Sequence, residues 1–389
     1  MPPFFIELNF ISSHILMDEI KMAGVILMKE KNYFACANTA NGFVDYFASN
    51  LQGLRKIYIL KGGPGTGKST LMKKVGKHFL DKGFDIDLIH CSSDPDSLDG
   101  VVIPALGTAI VDGTAPHVIE PKAVGAIEEY VNIGSAINTD LVQKSAEDIL
   151  KLQSEITSCY KEAYDAFAKA LTIHDEWEKY YIGNLDFDKA NQLADETIER
   201  LIGDVKKEKN AKVVHRFFGG CTYKGPVDYI ENITSSINKR YFIKGRPGSG
   251  KSTVLKKLVK QAAENGLDTE VYHCGLDSNS LDMVVLPELD LCIFDSTAPH
   301  EYFPSRKSDE IIDFYDQLIT SGTDEKYEDE LKGITAKYKE TIDHAVSSLQ
   351  RAKSLHDDLE SIYIPAVNYK LIDRMYQELV NKIEAKIQA

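Results

Sequence analysis

Short apolar runs and long amphipathic stretches alternate along the chain. The runs at 56–60 and 240–243 each lead into a glycine-rich turn, and each is followed by two more runs, which end at a histidine and at an aspartate. Runs of this length, bounded by glycine and polar residues, predict buried strands. The segment after each glycine-rich turn is stopped by Gly83 or Gly266 and predicts a helix. Strand, helix and strand in this order predict parallel sheets with right-handed crossovers.

The long amphipathic stretches lie at about 140–181 and about 327–362. Their apolar residues recur at steps of three and four, which is typical of one face of a long helix. A break follows each stretch, and a shorter helix then returns. We interpret these segments as two helical hairpins, at about 140–205 and about 325–388, that project from the sheets or lie across them. Their role is bundle packing or, alternatively, that of a moving lid or a partner-binding arm.

An internal duplication organises these elements. When residues 60–117 are placed over 243–300, the offset is 183 without a gap, and on the order of half of the positions are identical. The match returns in the long helices, where "HDEWEKYYI" and "HDDLESIYI" are offset by 182. The sequence therefore predicts an α/β protein with two tandem repeats, 33–208 and 209–389, each with a parallel sheet and a long helical hairpin.

The first 32 residues precede this duplicated unit. Acidic residues interrupt their apolar patches, and no basic region precedes a clean apolar core, so the segment is not typical of a signal peptide. Met28 begins a stretch that resembles a natural start of the chain. We expect residues 1–32 to be an appendage outside the fold, with a short docked helix as the alternative.

Composition and charge narrow the class of protein. The formal net charge is −14 over 389 residues, which argues against nonspecific nucleic-acid binding because such binding needs a positive field. The six cysteines form no CxxC pair, so we expect free thiols in a reducing cytoplasm. No apolar run approaches the roughly 20 residues that span a membrane. We therefore expect a cytoplasmic protein.

Two glycine-rich turns, "GGPGTGKS" and "GRPGSGKS", fit the spacing G-x-x-x-x-G-K-[ST]. Glycines let consecutive backbone N–H groups wrap a phosphate chain, and the helix that follows presents an N-terminus that favours anions. The lysine reaches the β- and γ-phosphates, and the serine hydroxyl ligates Mg²⁺. The predicted phosphate-binding residues are Gly62, Gly63, Pro64, Gly65, Thr66, Gly67, Lys68, Ser69 and Thr70 in the first loop, and Gly245, Arg246, Pro247, Gly248, Ser249, Gly250, Lys251, Ser252 and Thr253 in the second.

An aspartate ends the third predicted strand of each repeat. Asp112 and Asp295 are placed to order the Mg²⁺ shell, together with the loop serines. Many ATPases have a glutamate after this aspartate, where it polarises the attacking water. Here Gly113 and Ser296 follow instead. This departure puts ordinary fast hydrolysis in question and is equally typical of P-loop kinases.

The segment between the second and third strands offers further candidates. Asp94 and Asp277 could orient water or accept a proton from an acceptor, so we name them with Lys68 and Lys251 as catalytic candidates. The alternative is that Asp94 and Asp99 cap a turn and a short helix. His117 and His300 contact the nucleotide or, alternatively, fix the segment that follows the third strand. A transition-metal site is also conceivable if His90, Cys91, Asp112 and His117 converge, but their spacing is not typical of one.

Both repeats resemble P-loop NTPases, and the doubled arrangement resembles a family of bacterial ATPases with two P-loops. The resemblance rests on the two loops and on the repeated "HC", "DSLD" and "D-x-TAPH" segments, and it covers nearly the whole chain after residue 32. It implies binding of ATP or GTP with Mg²⁺ and indicates no other substrate. We expect an ATPase whose helical arms couple nucleotide state to a protein partner or substrate. A P-loop kinase and a non-enzymatic nucleotide-sensing scaffold are the alternatives.

Overall fold

A computed structural model of the chain describes residues 29–387. Most of the predicted appendage, residues 1–28, lies outside the described residues. Residues 30–32, which we expected outside the fold, instead belong to the first strand, β1 (Glu30–Phe34), which pairs in parallel with the strand Ile86–His90. The prediction was wrong here because the strand opens with three polar residues, so its apolar pattern is weak.

The two repeats form two six-stranded sheets with the same strand order. In the first repeat the strands are β1, β2 (Cys36–Thr39), β3 (Gly42–Asp45), β4 (Lys56–Lys61), β5 (Ile86–His90), β6 (Leu98–Ile103), β7 (Thr108–Asp112) and β8 (Glu128–Asn132). In the second they are β9 (Val213–Arg216), β10 (Gly219–Thr222), β11 (Gly225–Asp228), β12 (Lys239–Lys244), β13 (Thr269–His273), β14 (Leu281–Leu286), β15 (Leu291–Asp295) and β16 (Glu310–Asp313). The sheet orders are β1-β5-β6-β7-β4-β8 and β9-β13-β14-β15-β12-β16, and β2–β3 and β10–β11 are separate hairpins.

The sheets are mixed rather than parallel, which corrects the prediction. β6 and β14 run antiparallel to both of their neighbours, whereas the pairs β4–β7, β4–β8 and β1–β5 are parallel. We missed β6 because its Asp99 interrupts the apolar pattern, although Asp99 is buried. The α/β class and the three strand positions around each loop agree with the pattern.

The long helices are present at nearly the predicted positions. The helices are α1 (Phe47–Asn50), α2 (Lys68–Asp81), α3 (Thr139–Gln143), α4 (Ala146–Ile182), α5 (Phe187–Ile202), α6 (Ile230–Thr234), α7 (Lys251–Glu264), α8 (Phe314–Leu318), α9 (Thr323–Lys326), α10 (Glu328–Tyr363) and α11 (Tyr369–Glu384). Asp186 and Asn368 cap α5 and α11, since each side chain accepts a hydrogen bond from a backbone N–H of the first turn. In the described part of the chain, no helix has both the length and the apolar character that crossing a membrane requires.

The return helices of the predicted hairpins do not pack on their own repeat, whereas each long helix contacts a hairpin strand of its own repeat. α4 and α10 pack along each other, and the return helix of each repeat packs on the other repeat. In the first sheet's outer core, Leu379 and Ile383 of α11 join Leu71 and Val75 of α2. In the second sheet's outer core, residues of α5 join α7 in the same way. The sequence shows the apolar face of each return helix but not which of two similar repeats covers it.

The inner faces of both sheets share one hydrophobic core. Ile59 and Val111 of the first sheet belong to the same buried cluster as Phe242 and Phe294 of the second. Phe34 and Phe217, which are equivalent residues of the two repeats, exchange backbone hydrogen bonds of 3.0 and 2.9 Å. A residue that contacts its own counterpart lies beside a pseudo-twofold axis. The two repeats are therefore related by this axis and form one continuous interior.

Candidate functional site

Both glycine-rich loops lie between the end of a central strand and the start of a helix, β4 and α2 in the first repeat and β12 and α7 in the second. Gly65 and Gly67 have φ angles of 65° and 84°, and the equivalent Gly248 and Gly250 have 74° and 89°. Glycine adopts this left-handed backbone without the strain that a Cβ atom brings. The two loops therefore share the same left-handed glycine positions directly before the helix start.

A lysine and an aspartate meet at the mouth of each loop. Lys68 Nζ donates hydrogen bonds of 3.0 and 2.9 Å to two carbonyl oxygens of its own loop and lies 3.6 Å from Asp112 Oδ2. In the second repeat, Lys251 Nζ lies 3.4 Å from Asp295 Oδ2. The parallel pairing of β4 with β7 produces this contact, because both strands end at the same edge of the sheet. Each loop thus has a cation and a carboxylate in direct proximity.

The serine of each loop is positioned by the antiparallel strand that the sequence pattern did not predict. Ser69 Oγ accepts a hydrogen bond of 3.0 Å from Leu98 N at the start of β6. Ser252 Oγ accepts the equivalent bond of 2.9 Å from Leu281 N in β14. A hydroxyl has two lone pairs and one hydrogen, so each serine keeps a lone pair for a further ligand.

The residue after each strand-ending aspartate faces the interior of the protein. A Cβ atom at Gly113 would lie 2.3 Å from Ile59 Cγ2, within the inner core. Its equivalent, Ser296, is fully buried and donates a hydrogen bond of 2.7 Å to the carbonyl oxygen of Tyr302. A glutamate at this position would be directed into the core and not toward the loop. The position that we expected to carry a hydrolytic glutamate is therefore structural.

Asp94 and Asp277 hold turns. The two carboxylate oxygens of Asp94 accept hydrogen bonds from Asp96 N, at 3.2 Å, and from Ser97 Oγ, at 3.1 Å. Asp277 accepts the same two bonds within its own turn, at 3.0 Å each. Of our two interpretations, turn capping accounts for these contacts. Asp94 also lies 3.8 Å from Lys353 Nζ, which belongs to the other repeat.

The two predicted histidines pair with different carboxylates. His117 Nε2 lies 3.4 Å from Asp99 Oδ2, with its ring near Phe43. Burial on its own lowers the pKa of His117, but the charge of Asp99 outweighs it and raises the pKa to about 9. His300 Nδ1 instead lies 2.9 Å from Asp228 Oδ2. These contacts agree with the interpretation in which the histidines fix the segment after the third strand.

Two groups of potential metal ligands lie on the long helices. Among residues 29–387, the groups whose ligand atoms lie within 4.8 Å of one another are His174, Asp175 and Glu178 on α4, and His356, Asp357 and Glu360 on α10. The transition-metal set that we considered does not converge in this way. His90, for example, is hydrogen-bonded through its two ring nitrogens to Pro95 O and Asn32 Oδ1.

The long helices bring these groups to the loop of the opposite repeat. Gly65 N donates a hydrogen bond of 3.0 Å to Glu360 Oε1, and a Cβ atom at Gly248 would lie 3.0 Å from the carbonyl oxygen of Glu178. The helical repeat is visible in the sequence, but its contact with the loops was not predicted. The signal was the His-Asp-x-x-Glu spacing, which recurs once in each long helix.

Comparisons with protein-family models, with curated proteins and with solved structures return no match to this chain. The functional argument therefore depends on the geometry of the two loops. Each loop combines a glycine backbone, a lysine, a serine hydroxyl and a strand-ending carboxylate, and each is covered by a helix of the other repeat.

Proposed function

We propose that this chain is a cytoplasmic Mg²⁺-dependent ATPase with two nucleotide sites, whose long helices couple nucleotide state to a partner or substrate. One observation carries the proposal. The same lysine, serine and aspartate meet at the carboxyl ends of parallel strands in both repeats, beside a glycine loop that opens a helix. Ligands of open α/β sheets bind at this edge, and helix N-termini favour phosphate.

The residues around each loop fit a magnesium ion. Ser69 and Asp112 offer a hydroxyl and a carboxylate, which are the hard oxygen ligands that Mg²⁺ prefers. In the second repeat Ser252 and Asp295 offer the same pair. Bound Mg²⁺ would supply neutralisation of the phosphate charge. Asp112 also accepts hydrogen bonds of 2.8 and 2.6 Å from the backbone and hydroxyl of Thr114, which fix the orientation of its carboxylate.

Phosphoryl transfer depends on positioning and charge stabilisation rather than on covalent chemistry by the protein. Lys68 would leave the carbonyl oxygens of its own loop and bind the β- and γ-phosphates, because a phosphate is the stronger partner for an ammonium group. The backbone N–H groups of the loop would hold the phosphate chain. The long helix of the other repeat lies over the loop and would exclude water from it.

Substitution of both loop lysines tests the proposal. We expect wild type to bind two ATP molecules per chain and Lys68→Ala or Lys251→Ala to bind one. The double variant should bind none and release phosphate at least about 100-fold more slowly, because the charge that stabilises the transferring phosphate is gone. Isothermal titration with ATP and Mg²⁺ measures the stoichiometry, and release of labelled phosphate measures turnover.

Lys77→Ala combined with Lys260→Ala is the matched control. These equivalent lysines are exposed on α2 and α7 and pair with Asp81 and Glu264 on their own helices. Two sites and unchanged turnover are expected for this control. Unchanged binding and turnover in the Lys68/Lys251 double variant would refute the proposal. Labelled phosphate found on an added acceptor, and not as free phosphate, would favour a kinase.

A further inference from the structure

Each glycine loop is closed by the end of the other repeat's long helix. A Cβ atom at Gly65 would lie 3.2 Å from both the carbonyl oxygen of Glu360 and Ile364 Cγ1. At Gly248 the corresponding contacts are Glu178 O at 3.0 Å and Ile182 Cγ1 at 2.9 Å. The covering residues are equivalent in the duplication. The long helix of each repeat therefore packs directly against the glycine loop of the other repeat.

At the first loop, this closure includes a bond to the loop backbone. Gly65 N donates to the Glu360 carboxylate at 3.0 Å, and Tyr369 Oη donates to Gly65 O at 3.2 Å. Backbone N–H groups of such a loop are the donors that wrap a phosphate chain. The carboxylate of Glu360 is an anion bound to one of these donors. A phosphate oxygen bound by Gly65 N would have to replace this carboxylate.

At the second loop, the closure is built differently. In the described part of the chain, Glu178 makes no hydrogen bond to the loop backbone; its carboxylate lies 3.7 Å from His174, as that of Glu360 lies 3.9 Å from His356. Phe187 replaces Tyr369 and has no hydroxyl. The helix is held instead by side chains, because Tyr181 Oη donates to Asp324 at 2.9 Å and Arg246 donates to the same carboxylate at 2.8 Å. These contacts leave the backbone N–H groups of the second loop free of a competing anion.

We propose that Glu360 is an internal competitor for phosphate at the first loop, so that nucleotide binds the second loop more tightly than the first. The inference rests on the proposed function and concerns its regulation. A single N–H group cannot donate a strong bond to a carboxylate and to a phosphate at once, and the two anions repel each other. Nucleotide binding at the first loop therefore requires the Glu360 carboxylate to leave Gly65 N.

The two loops can be titrated separately. Lys251→Ala isolates the first loop and Lys68→Ala the second, and the imido analogue of ATP with Mg²⁺ is the probe. In the Lys251→Ala background, Glu360→Gln should tighten binding about tenfold, since a hydrogen bond to a charged group no longer has to be broken. Tyr369→Phe should tighten binding by a smaller factor. Glu178→Gln in the Lys68→Ala background should change the affinity less than about twofold.

Asp358→Asn controls for general loss of negative charge, because Asp358 is exposed on the same helix and away from the loop contact. Its affinity should match that of the Lys251→Ala parent. Unchanged or weaker binding in Glu360→Gln would overturn the competitor role. Equal tightening by Glu178→Gln or by Asp358→Asn would overturn it too, because charge alone would then explain the effect. If wild type bound the probe at neither loop, the proposed function itself would fail.

Discussion

The two loops have the same backbone and the same lysine, serine and aspartate, yet they meet different neighbours. The first loop has Gly63 where the second has Arg246, and only the first is bonded to a carboxylate of the opposite helix. Arg246 lies over the ring of Tyr315, 4.7 Å from its centroid, and pairs with Asp324. The two repeats thus share the lysine, the serine and the aspartate, while the contacts that close each loop differ.

Divergence between the repeats is required where a charged residue would face a copy of itself across the pseudo-twofold axis. Arg216 lies over the ring of Tyr33, its equivalent in the first repeat, 4.1 Å from the centroid. Two arginines here would repel each other. Two tyrosines would leave the carboxylates of Glu270 and Asp87 without the guanidinium beside them. With one arginine and one tyrosine, the repulsion is avoided and the carboxylates keep their cation.

The largest effect is expected from Arg216→Ala. Arg216 Nη1 lies 3.4 Å from Glu270; the Arg216 side chain is buried, and that of Glu270 is 14% exposed. Burial on its own raises the pKa of Glu270, but Arg216 and then Lys31 outweigh it and lower the pKa to about 2. Removing Arg216 leaves a largely buried carboxylate with one cation fewer, which should lower the free energy of unfolding by about 3–5 kcal/mol. Urea denaturation measures this change in the free energy of unfolding.

An exposed ion pair provides the control for Arg216→Ala. Lys209 pairs with Asp268 on the surface, and surface pairs of this kind contribute little. Lys209→Ala should therefore leave the urea midpoint near that of the wild type. Equal midpoints for the Arg216 and Lys209 variants would show that the sheet interface does not depend on the arginine.

A smaller effect is expected when the first repeat is given the second repeat's residue after its aspartate. Gly113→Ser adds a side chain whose Cβ would lie 2.3 Å from Ile59 Cγ2, so the inner core must shift. Overpacking of this kind costs about 1–3 kcal/mol of stability. Thermal and urea unfolding measure the loss.

The reverse substitution, Ser296→Gly, gives the second repeat the residue that the first repeat has at this position. It removes the two hydrogen bonds between Ser296 Oγ and the backbone of Tyr302 and creates no clash. We expect a loss of about 1 kcal/mol. If Gly113→Ser were as stable as the wild type, the position would not be packed into the core, and the absence of a glutamate there would need another explanation.

Local patterns in the sequence predicted the strands that end at His90 and Asp112, both loops, and the long helices. These features depend on spacing within a short segment, so one repeat suffices to show them. The antiparallel strand Leu98–Ile103 was missed because a buried aspartate near its start resembles a turn signal. That strand positions Ser69, so part of the site was missed with it.

The reciprocal covering of the loops could not be predicted from the pattern. α5 and α11 carry similar apolar faces, and α2 and α7 offer similar surfaces to receive them. Packing within a repeat and packing across repeats therefore satisfy the same pattern. Only the three-dimensional path of α4 and α10, which run along each other to the opposite sheet, decides between them.

The smallest effect concerns a pair of histidines that only the second repeat contains. His215 Nδ1 and His273 Nε2 lie 2.8 Å apart, whereas the equivalent His90 has Asn32 as its neighbour. Burial lowers the pKa of His273 to about 4, with the charge of His215 acting in the same direction, and burial lowers the pKa of His215 as well. Where the first repeat has Asn32, the second repeat therefore has an additional histidine, His215, whose neutral form is favoured.

His215→Asn gives the second repeat the pair found in the first. A histidine whose pKa is lower in the folded protein than the roughly 6.5 of the unfolded chain contributes stability above pH 6.5, and this is lost as the pH falls toward the folded value. The variant should therefore lose less stability than the wild type between pH 7 and 5, by on the order of 1 kcal/mol. Urea midpoints at the two pH values measure this difference. His344→Asn, at an exposed position on α10, should lose as much stability between pH 7 and 5 as the wild type does. If His215→Asn also lost as much as the wild type, the histidine pair would not contribute to the loss of stability in acid.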